Sequence, residues 1–220
     1  MSIPVSERRG LPGLRYPEEY LARLATELSI RFDRVFGAET VERYVLESYT
    51  GLLRTSTVTV HLPSRTTRFA TDRLTALAQA KGAIEQGVPE ILFVCEQNAG
   101  RSHMAAALTA SMSKGRVHVR SAGSAPAREL HPHVVEVLAE LGLDLTDEFP
   151  KPLTDDVVQA ADVVVTMGCG GACPVYPGTR YRDWALADPA TLPIEGVRAV
   201  RDEIAARVAE LLDELGVPRD

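Results

Sequence analysis

One of the chain's three cysteines begins a segment whose residue types suit the binding of an oxyanion. Cys95 is followed by five residues and then by an arginine, Arg101. A loop of this length can wrap so that its backbone N–H groups point inward at an anion, while the planar guanidinium of Arg101 binds two of the anion's oxygens. The segment therefore predicts nucleophilic attack by Cys95 on a bound oxyanion. The predicted oxyanion-binding residues are Glu96, Gln97, Asn98, Ala99, Gly100, Arg101 and Ser102.

The other two cysteines, Cys169 and Cys173, stand four residues apart in the segment Thr-Met-Gly-Cys-Gly-Gly-Ala-Cys-Pro, residues 166–174. On a helix, residues at this spacing have Cα atoms about 6 Å apart, which lies within the disulfide range. The glycines at positions 168, 170 and 171 would allow the segment to unwind. Two other interpretations stay open. The pair could be half of a zinc site, although no further ligands stand at typical spacing, or two small core residues.

The elements around Cys95 are predicted to place it at the edge of a parallel sheet. Residues 90–94 form a short apolar run, which is typical of a buried parallel strand. A helix is expected from about Arg101 to Ser113, with His103 on its solvent-facing surface. Further strands are predicted at 117–120, at 162–166 and near Tyr181, and they alternate with helices up to a last one at about 194–215. Cys95 then lies at the carboxyl end of a strand, where open α/β sheets bind ligands.

The region before this domain, residues 17–82, is predicted to form three helices. It follows an N-terminal arm of residues 1–16 and precedes a linker at 83–88. Apolar residues recur at steps of three and four, as on one helix face, at Leu21, Leu24, Leu28, Phe32 and Val35. This first helix is predicted to end at Gly37.

The segment 55–63, inside that helical region, has the alternating pattern of a short strand. A helix–strand–helix order would fit a winged DNA-binding domain. We prefer a loop, because no second strand is visible and the region is not strongly basic.

Composition sets the broad class of the protein. The 220 residues are 45% hydrophobic and 25% charged, which are normal values for a soluble globular protein. No long apolar run predicts a membrane-spanning helix, and the N-terminus lacks the apolar core of a signal peptide, so we expect a cytoplasmic protein. The net charge of −6 gives no support for binding to nucleic acid or membranes. The number of cysteines, three, is small and odd, which argues against a structural disulfide framework.

Four segments together resemble the low-molecular-weight tyrosine phosphatase superfamily. They are residues 91–102, the run Arg-Ser-Ala-Gly-Ser at 120–124, His131-Pro132, and Asp-Pro-Ala at 188–190. The resemblance covers about residues 89–216. It implies a four-stranded parallel sheet flanked by helices. It also implies that Cys95 is the nucleophile, that Arg101 holds the oxyanion and that Asp188 is the general acid.

Within that superfamily, the arsenate reductases resemble this chain at residues 166–174, because they also carry two cysteines after the third strand. The resemblance implies that Cys95 attacks arsenate, that Cys169 then attacks Cys95 and that Cys173 resolves Cys169. No bound cofactor is implied, since an external thiol reductant, thioredoxin or a low-molecular-weight thiol, would reduce the final disulfide. Phosphate and sulfate would act as mimics of arsenate. The cysteine spacing is shorter than in some thioredoxin-coupled relatives, which leaves the order of the relay open.

Two departures from the pattern bear on the site. Ala106 stands where some relatives carry an acidic residue that binds potassium, so no metal site is expected. Ala190 stands where the phosphatases place an aromatic residue.

The helical region, residues 17–82, resembles the three-helix bundle that precedes some actinobacterial-type arsenate reductases. That bundle serves dimerisation, so the resemblance implies a homodimer. A core of this size is also small for a domain that stands alone.

The function implied is the reduction of arsenate to arsenite. The alternatives are a phosphomonoester hydrolase of the low-molecular-weight phosphatase type and an oxyanion-binding regulatory module.

Overall fold

The computed structural model describes residues 17–56, 60–169, 171 and 173–218. The predicted N-terminal arm, residues 1–16, lies outside this described part, as does Gly170 of the glycine-rich segment. The chain divides into two compact units, Met1–Leu74 and Thr75–Asp220. None of the helices in the described ranges is both long and apolar enough to cross a membrane.

The first unit is helical, as the apolar periodicity predicts. Its helices are α1 (Pro17–Arg31), α2 (Ala38–Leu53) and α3 (Leu62–Ala80), the last of which continues into the second unit. The Tyr20 hydroxyl bonds to the Pro63 carbonyl and to Thr67 Oγ1, which joins α1 to α3. Arg73 of α3 lies over the Tyr44 ring at 4.5 Å and donates to Ser48 Oγ at 3.2 Å. The three helices therefore contact one another through specific side chains.

The first helix ends earlier than the sequence pattern predicts. α1 stops at Arg31, and Arg34 then has a left-handed φ of 67°. Gly37 is the N-cap of α2 and does not end α1. Phe32 is still buried, since it packs from a turn, and this explains why the apolar spacing continues past the end of the helix.

The second unit is a parallel four-stranded sheet with helices on both faces, which confirms the predicted fold class. The strands stand in the order β2-β1-β3-β4, and every neighbouring pair is parallel. The elements are β1 (Glu90–Cys95), α4 (Arg101–Ser113), β2 (His118–Gly123), α5 (Pro132–Ala139), α6 (Asp155–Ala160), β3 (Val163–Met167), β4 (Arg180–Asp183), a 3₁₀ turn (Pro189–Thr191) and α7 (Ile194–Glu214).

The central strand β1 is buried along its full length, which accounts for its uninterrupted apolar sequence. Its alternate side chains enter two different cores. Phe93 and Cys95 lie in the core that contains residues of α4, α5 and α7. Leu92 and Val94 lie in the core that contains residues of α6. Cys95 therefore belongs to the α4 face of the sheet.

Strand register brings the ends of three strands to the same level. Cys95 pairs with Gly123 of β2 on one side and with Met167 of β3 on the other. The chain leaves β1 through α4 on one face and reaches β3 through α6 on the other. A crevice forms at such a reversal of strand order, beyond the carboxyl ends of the strands. The loops after Cys95, Gly123 and Met167 meet at this crevice.

Candidate active site

The loop that follows β1 is held by backbone hydrogen bonds from the segment that follows β2. Four of its carbonyl oxygens accept from N–H groups of that segment: Cys95 from Ser124 at 3.2 Å, Glu96 from Ala125 at 2.8 Å, Gln97 from Ala127 at 2.8 Å and Ala99 from His131 at 2.9 Å. In a trans peptide, the next residue's N–H points opposite to the carbonyl. The amides of residues 96, 97, 98 and 100 are therefore directed toward the inside of the loop, as an oxyanion cradle requires.

Two backbone features let the loop fold this tightly. Asn98 has a φ of 45°, a left-handed conformation that asparagine tolerates better than most residues. Gly123, at the end of β2, lies so close to the loop that a Cβ there would stand 2.7 Å from the Glu96 carbonyl oxygen and 2.8 Å from the Asn98 nitrogen. Any side chain at Gly123 would displace the loop. The sequence motif contains Gly123, but its spacing alone did not show this contact.

The Cys95 thiol is buried and accepts hydrogen bonds from two donors. Its Sγ lies 3.0 Å from Ser102 Oγ and 3.2 Å from the Asn98 backbone nitrogen. The Asn98 side chain donates to Ser102 Oγ at 2.8 Å, so the Ser102 proton is free to point at the sulfur. Asn98 is itself fixed, because its Oδ1 accepts from the Lys151 backbone N–H at 2.7 Å. Both donors of this network are directed at the sulfur of the predicted nucleophile.

Arg101 and Asp188 lie together on the other side of the site. The Arg101 side chain is largely buried, and its Nη1 donates to the Leu186 carbonyl at a long 3.4 Å. Its Nη2 lies 4.0 Å from Asp188 Oδ2. Asp188 is half exposed, and its Oδ1 accepts from the Ala190 backbone N–H at 3.2 Å. These long contacts leave the guanidinium able to bind an oxyanion.

A cleft of about 280 Å³ opens between these groups. Its lining includes Cys95, Gln97, Arg101, His131 and Asp188, residues that lie far apart in the sequence. The predicted nucleophile, oxyanion-binding residue and acid are thus brought to one cavity. Glu96 is exposed, and it is not among the residues that line the cleft. His131 was not predicted to line the cleft, since the sequence showed it only beside the start of α5.

The predicted relay cysteines follow β3 and lie on the opposite face of the sheet from Cys95. Cys169 packs in the same core as Leu92 and Val94, and all three cysteines are free thiols. Burial, together with the neighbouring Cys169, raises the pKa of Cys173 to about 11. The described residues of this segment do not form the helix on which the predicted spacing was based. Gly168 and Gly171 both have left-handed φ angles, 76° and 78°, which a helix excludes.

Comparison with known proteins places this arrangement in a family. Residues 90–219 match the family of the low molecular weight phosphotyrosine protein phosphatases, and residues 21–78 match the protein-tyrosine-phosphatase-like N-terminal domain. The first of these matches spans more than half of the chain. The protein belongs to the low molecular weight phosphotyrosine protein phosphatase family.

Several members of this phosphatase family resemble the chain closely. A thioredoxin-dependent arsenate reductase from Corynebacterium glutamicum is 47% identical, with a TM-score of 0.81 over 90% of this chain and 97% of that one. A putative arsenate reductase from Halobacterium salinarum is 40% identical over 56% of this chain and 89% of its own length. An arginine phosphatase from Geobacillus stearothermophilus is 30% identical, with a TM-score of 0.51 over 58% of this chain and 93% of that chain.

Beneath the loop that follows β1 in this phosphatase-family domain lies a buried histidine. His103 is 1% exposed, so its predicted position on the helix surface is wrong. The segment around Phe149 covers this side of α4, and the Glu148 carboxylate lies 3.7 Å from His103 Nδ1. Burial is the main cause that lowers the pKa of His103 to about 3, and the nearby Lys151 adds to it. The imidazole is therefore neutral at physiological pH and supports the loop from below.

Across the described ranges, no group of three or more His, Cys, Asp or Glu side chains is placed to hold a metal ion.

Proposed function

We propose that this protein reduces arsenate to arsenite, with Cys95 as the nucleophile and Cys169 and Cys173 as a thiol relay. The observation that carries the proposal is the position of the cysteines relative to β1 and β3. Cys95 lies in an oxyanion cradle, and Cys169 follows its register partner Met167 by two residues. The relative from Corynebacterium glutamicum, a thioredoxin-dependent arsenate reductase, supports the same activity and matches 90% of the chain.

The first step is attack of the Cys95 thiolate on the arsenic of bound arsenate. The inward-facing amides of the loop and the Arg101 guanidinium hold the arsenate oxygens and stabilise the charge that develops on them. A sulfur–arsenic bond forms, an arsenic–oxygen bond breaks, and the oxygen leaves as water. Asp188 lies at the cleft and donates a proton to that leaving oxygen. Arsenic remains in the +5 state.

The second step transfers two electrons to arsenic. The Cys169 thiolate attacks the Cys95 sulfur, and the sulfur–arsenic bond breaks with its electron pair going to arsenic. Arsenite leaves in the +3 state, and a Cys95–Cys169 disulfide remains. The Cys173 thiolate then attacks Cys169, which releases the Cys95 thiolate and leaves a Cys169–Cys173 disulfide. An external dithiol supplies the two electrons that reduce this last disulfide.

This relay requires movement of Cys169. A disulfide needs the two sulfurs about 2.05 Å apart, whereas Cys95 and Cys169 lie in cores on opposite faces of the sheet. Cys169 must leave its contacts with Leu92 and Val94 to reach Cys95.

We assign thioredoxin as the electron donor and the reducing cytoplasm as the site of the reaction. The three free thiols suit such a compartment.

We also assign the helical unit to dimerisation. Ile30 of α1 and Leu46 of α2 are 74% and 52% exposed, which leaves apolar side chains for a second copy to cover. Sedimentation of the full chain before and after the substitution Leu46→Glu tests this assignment.

Hydrolysis of a phosphomonoester is the second candidate. The cradle, Arg101 and Asp188 suit phosphate as well as arsenate, and the arginine phosphatase relative has the same fold. Hydrolysis needs neither Cys169 nor Cys173, since water attacks the phosphorus of the Cys95 adduct. The presence of both further thiols beside β3 therefore favours reduction. A third candidate, a regulatory module, would bind the oxyanion without turnover.

Two cysteine variants test the proposal directly. With arsenate, thioredoxin, thioredoxin reductase and NADPH, the wild-type protein should consume NADPH, and Cys169→Ser should not. Cys173→Ser should stop after one arsenite per chain and accumulate a Cys95–Cys169 disulfide, which peptide mass spectrometry identifies. Undiminished arsenate reduction by Cys169→Ser would overturn the relay. Phosphate-ester turnover without arsenate reduction in the wild-type protein would support the hydrolase.

A further inference from the structure

The Arg101 guanidinium lies directly against Gly168, the residue that precedes Cys169. A Cβ built on Gly168 would stand 3.0 Å from Arg101 Nη1, and 3.8 Å and 3.9 Å from its Cζ and Nη2. Gly168 also has a φ of 76°, which L side chains rarely adopt. The close packing of the guanidinium therefore depends on the absence of a side chain at Gly168.

Among the described residues, few other contacts fix the position of this guanidinium. Its hydrogen bond to the Leu186 carbonyl is long, at 3.4 Å, and Asp188 lies 4.0 Å away. A guanidinium carries five N–H donors, and an oxyanion in the loop would attract them strongly. Binding of an oxyanion is thus expected to turn Arg101 toward the loop and away from Gly168.

Movement of Cys169 also involves the backbone of Gly168, the residue before it. Met167 is fixed in β3 beside Cys95, so it cannot rotate without breaking the sheet. The rotations that carry Cys169 out of its core must occur at Gly168 or at Cys169 itself. Rotation at Gly168 moves atoms that the guanidinium covers. Arg101 and the start of the relay segment therefore cannot move independently.

We propose that Gly168 is a positioning residue that couples occupancy of the oxyanion site to release of Cys169. With Arg101 against Gly168, Cys169 is held in its core. When Arg101 turns to bind the oxyanion, Gly168 is uncovered and Cys169 can reach Cys95. This inference rests on the proposed role of Cys169 as the second thiol, whereas the Arg101–Gly168 contact is independent of that role.

Gly171 provides a matched control for a substitution at Gly168. It lies in the same segment with a φ of 78°, but a Cβ there would meet nothing within 4 Å. Alanine at either position adopts the same unfavourable backbone angle, and only alanine at Gly168 also displaces Arg101. A difference between Gly168→Ala and Gly171→Ala therefore measures the contact.

The first test compares these two variants of the full chain. Gly168→Ala should lower the inhibition constant for phosphate by about 5- to 150-fold, because the added Cβ holds Arg101 away from Gly168, in the orientation that oxyanion binding otherwise has to produce. Gly171→Ala should leave the phosphate constant near the wild-type value. Equal phosphate constants for the two variants would overturn the proposal. Circular dichroism of both variants checks that each is folded.

The second test needs no glycine substitution and reports the coupling itself. In the Cys95→Ser chain, the rate of Cys169 alkylation by iodoacetamide is measured by mass spectrometry with and without saturating phosphate. Phosphate should speed this alkylation by about 5- to 150-fold, the usual range for coupled sites. An unchanged rate would overturn the coupling. A different experiment tests the relay itself: arsenate reduction by Cys169→Ser would show that the proposed relay is wrong.

Discussion

The side-chain amide of Asn98 donates a hydrogen bond to Ser102 Oγ at 2.8 Å, and this contact fixes the direction of the Ser102 proton. Since the Ser102 oxygen accepts from Asn98, its own hydrogen is available to Cys95 Sγ, 3.0 Å away. The hydrogen bonding of Cys95 therefore depends on the side chain of Asn98, which does not itself contact the sulfur. The same Asn98 side chain also holds the Lys151 backbone N–H at 2.7 Å, which ties the loop to the segment that covers α4.

Replacement of Ser102 by alanine should slow the reaction of Cys95. The Cys95 sulfur loses one of its two donors, and loss of a hydrogen bond to a charged group costs about 1.5–3 kcal/mol, or roughly 10- to 100-fold in rate. The measurement is the rate of Cys95 alkylation at neutral pH, together with kcat for arsenate. Ser113→Ala is the matched control, because Ser113 is a buried serine at the far end of the same helix. Equal rates for the two variants would contradict the role assigned to Ser102.

The local parts of this site could be predicted from the sequence. The uninterrupted apolar run before Cys95 indicated a central parallel strand, and β1 is buried at all six positions. The spacing from Cys95 to Arg101 predicted a loop around an anion, because the loop geometry is set by consecutive residues. The contacts of Gly123 and Gly168 could not be predicted, since each depends on which backbone or side chain from another strand lies against it.

Other differences have the same origin in tertiary packing. The surface position predicted for His103 was wrong because the segment around Phe149 covers that side of α4. The described residues around Cys169 and Cys173 do not form the helix on which their expected spacing was based, because Gly168 and Gly171 have left-handed φ angles. The periodicity that predicted a longer first helix came from Phe32, which is buried from a turn after the helix ends. Sequence spacing alone did not give the environment of these residues.

Alkylation of Cys173 in the reduced protein should depend steeply on pH. Burial, and secondarily Cys169, raises its pKa to about 11, so the thiol form dominates at neutral pH. The rate with iodoacetamide should rise about tenfold per pH unit up to about pH 10, because only the thiolate reacts. The same chain unfolded in urea serves as control, and its Cys173 rate should level off near the ordinary thiol pKa. A folded-state rate that levels off below pH 9 would contradict this prediction.

Acid should destabilise the second unit partly through His103. Burial lowers the pKa of His103 to about 3, while the unfolded chain has an ordinary value of about 6.5. Below about pH 6.5 the unfolded state binds a proton that the folded state does not. The stability from this group is therefore complete above that pH and is lost as the pH falls toward 3. Between pH 7 and pH 5 the loss is about 2 kcal/mol.

This loss is measured by urea unfolding at pH 7 and pH 5. The fluorescence of Trp184, which packs on Phe93 in the same unit, reports the unfolding. Trp184 is the chain's single tryptophan, so its signal reports this unit. His103→Gln cannot titrate, and its loss of stability over the same interval should be smaller by about 2 kcal/mol. Equal losses in the two proteins would exclude a role for His103 in the acid sensitivity.

Tyr181 holds the segment immediately after Cys173. Its hydroxyl donates to the Pro174 carbonyl at 3.1 Å and accepts from the Tyr176 backbone N–H at 3.0 Å. In the proposed relay Cys169 travels to Cys95, and Cys173 must then attack it from a defined position. Tyr181→Phe removes both hydrogen bonds and leaves the ring in place. It should slow the attack of Cys173 without changing the KM for arsenate, because Tyr181 is not among the residues that line the cleft.

Acid quenching during a single turnover, followed by peptide mass spectrometry, distinguishes the two steps. In Tyr181→Phe, the amount of the Cys95–Cys169 disulfide should be about tenfold higher than in the wild-type protein. Two ordinary hydrogen bonds of about 1 kcal/mol each are lost, which allows a rate effect of this size. Tyr176→Phe is the control, because it removes a hydroxyl from the same segment and keeps the backbone N–H that bonds to Tyr181. General loosening of the fold would slow formation and resolution of the disulfide alike. Accumulation in Tyr181→Phe alone therefore assigns the effect to the position of Cys173.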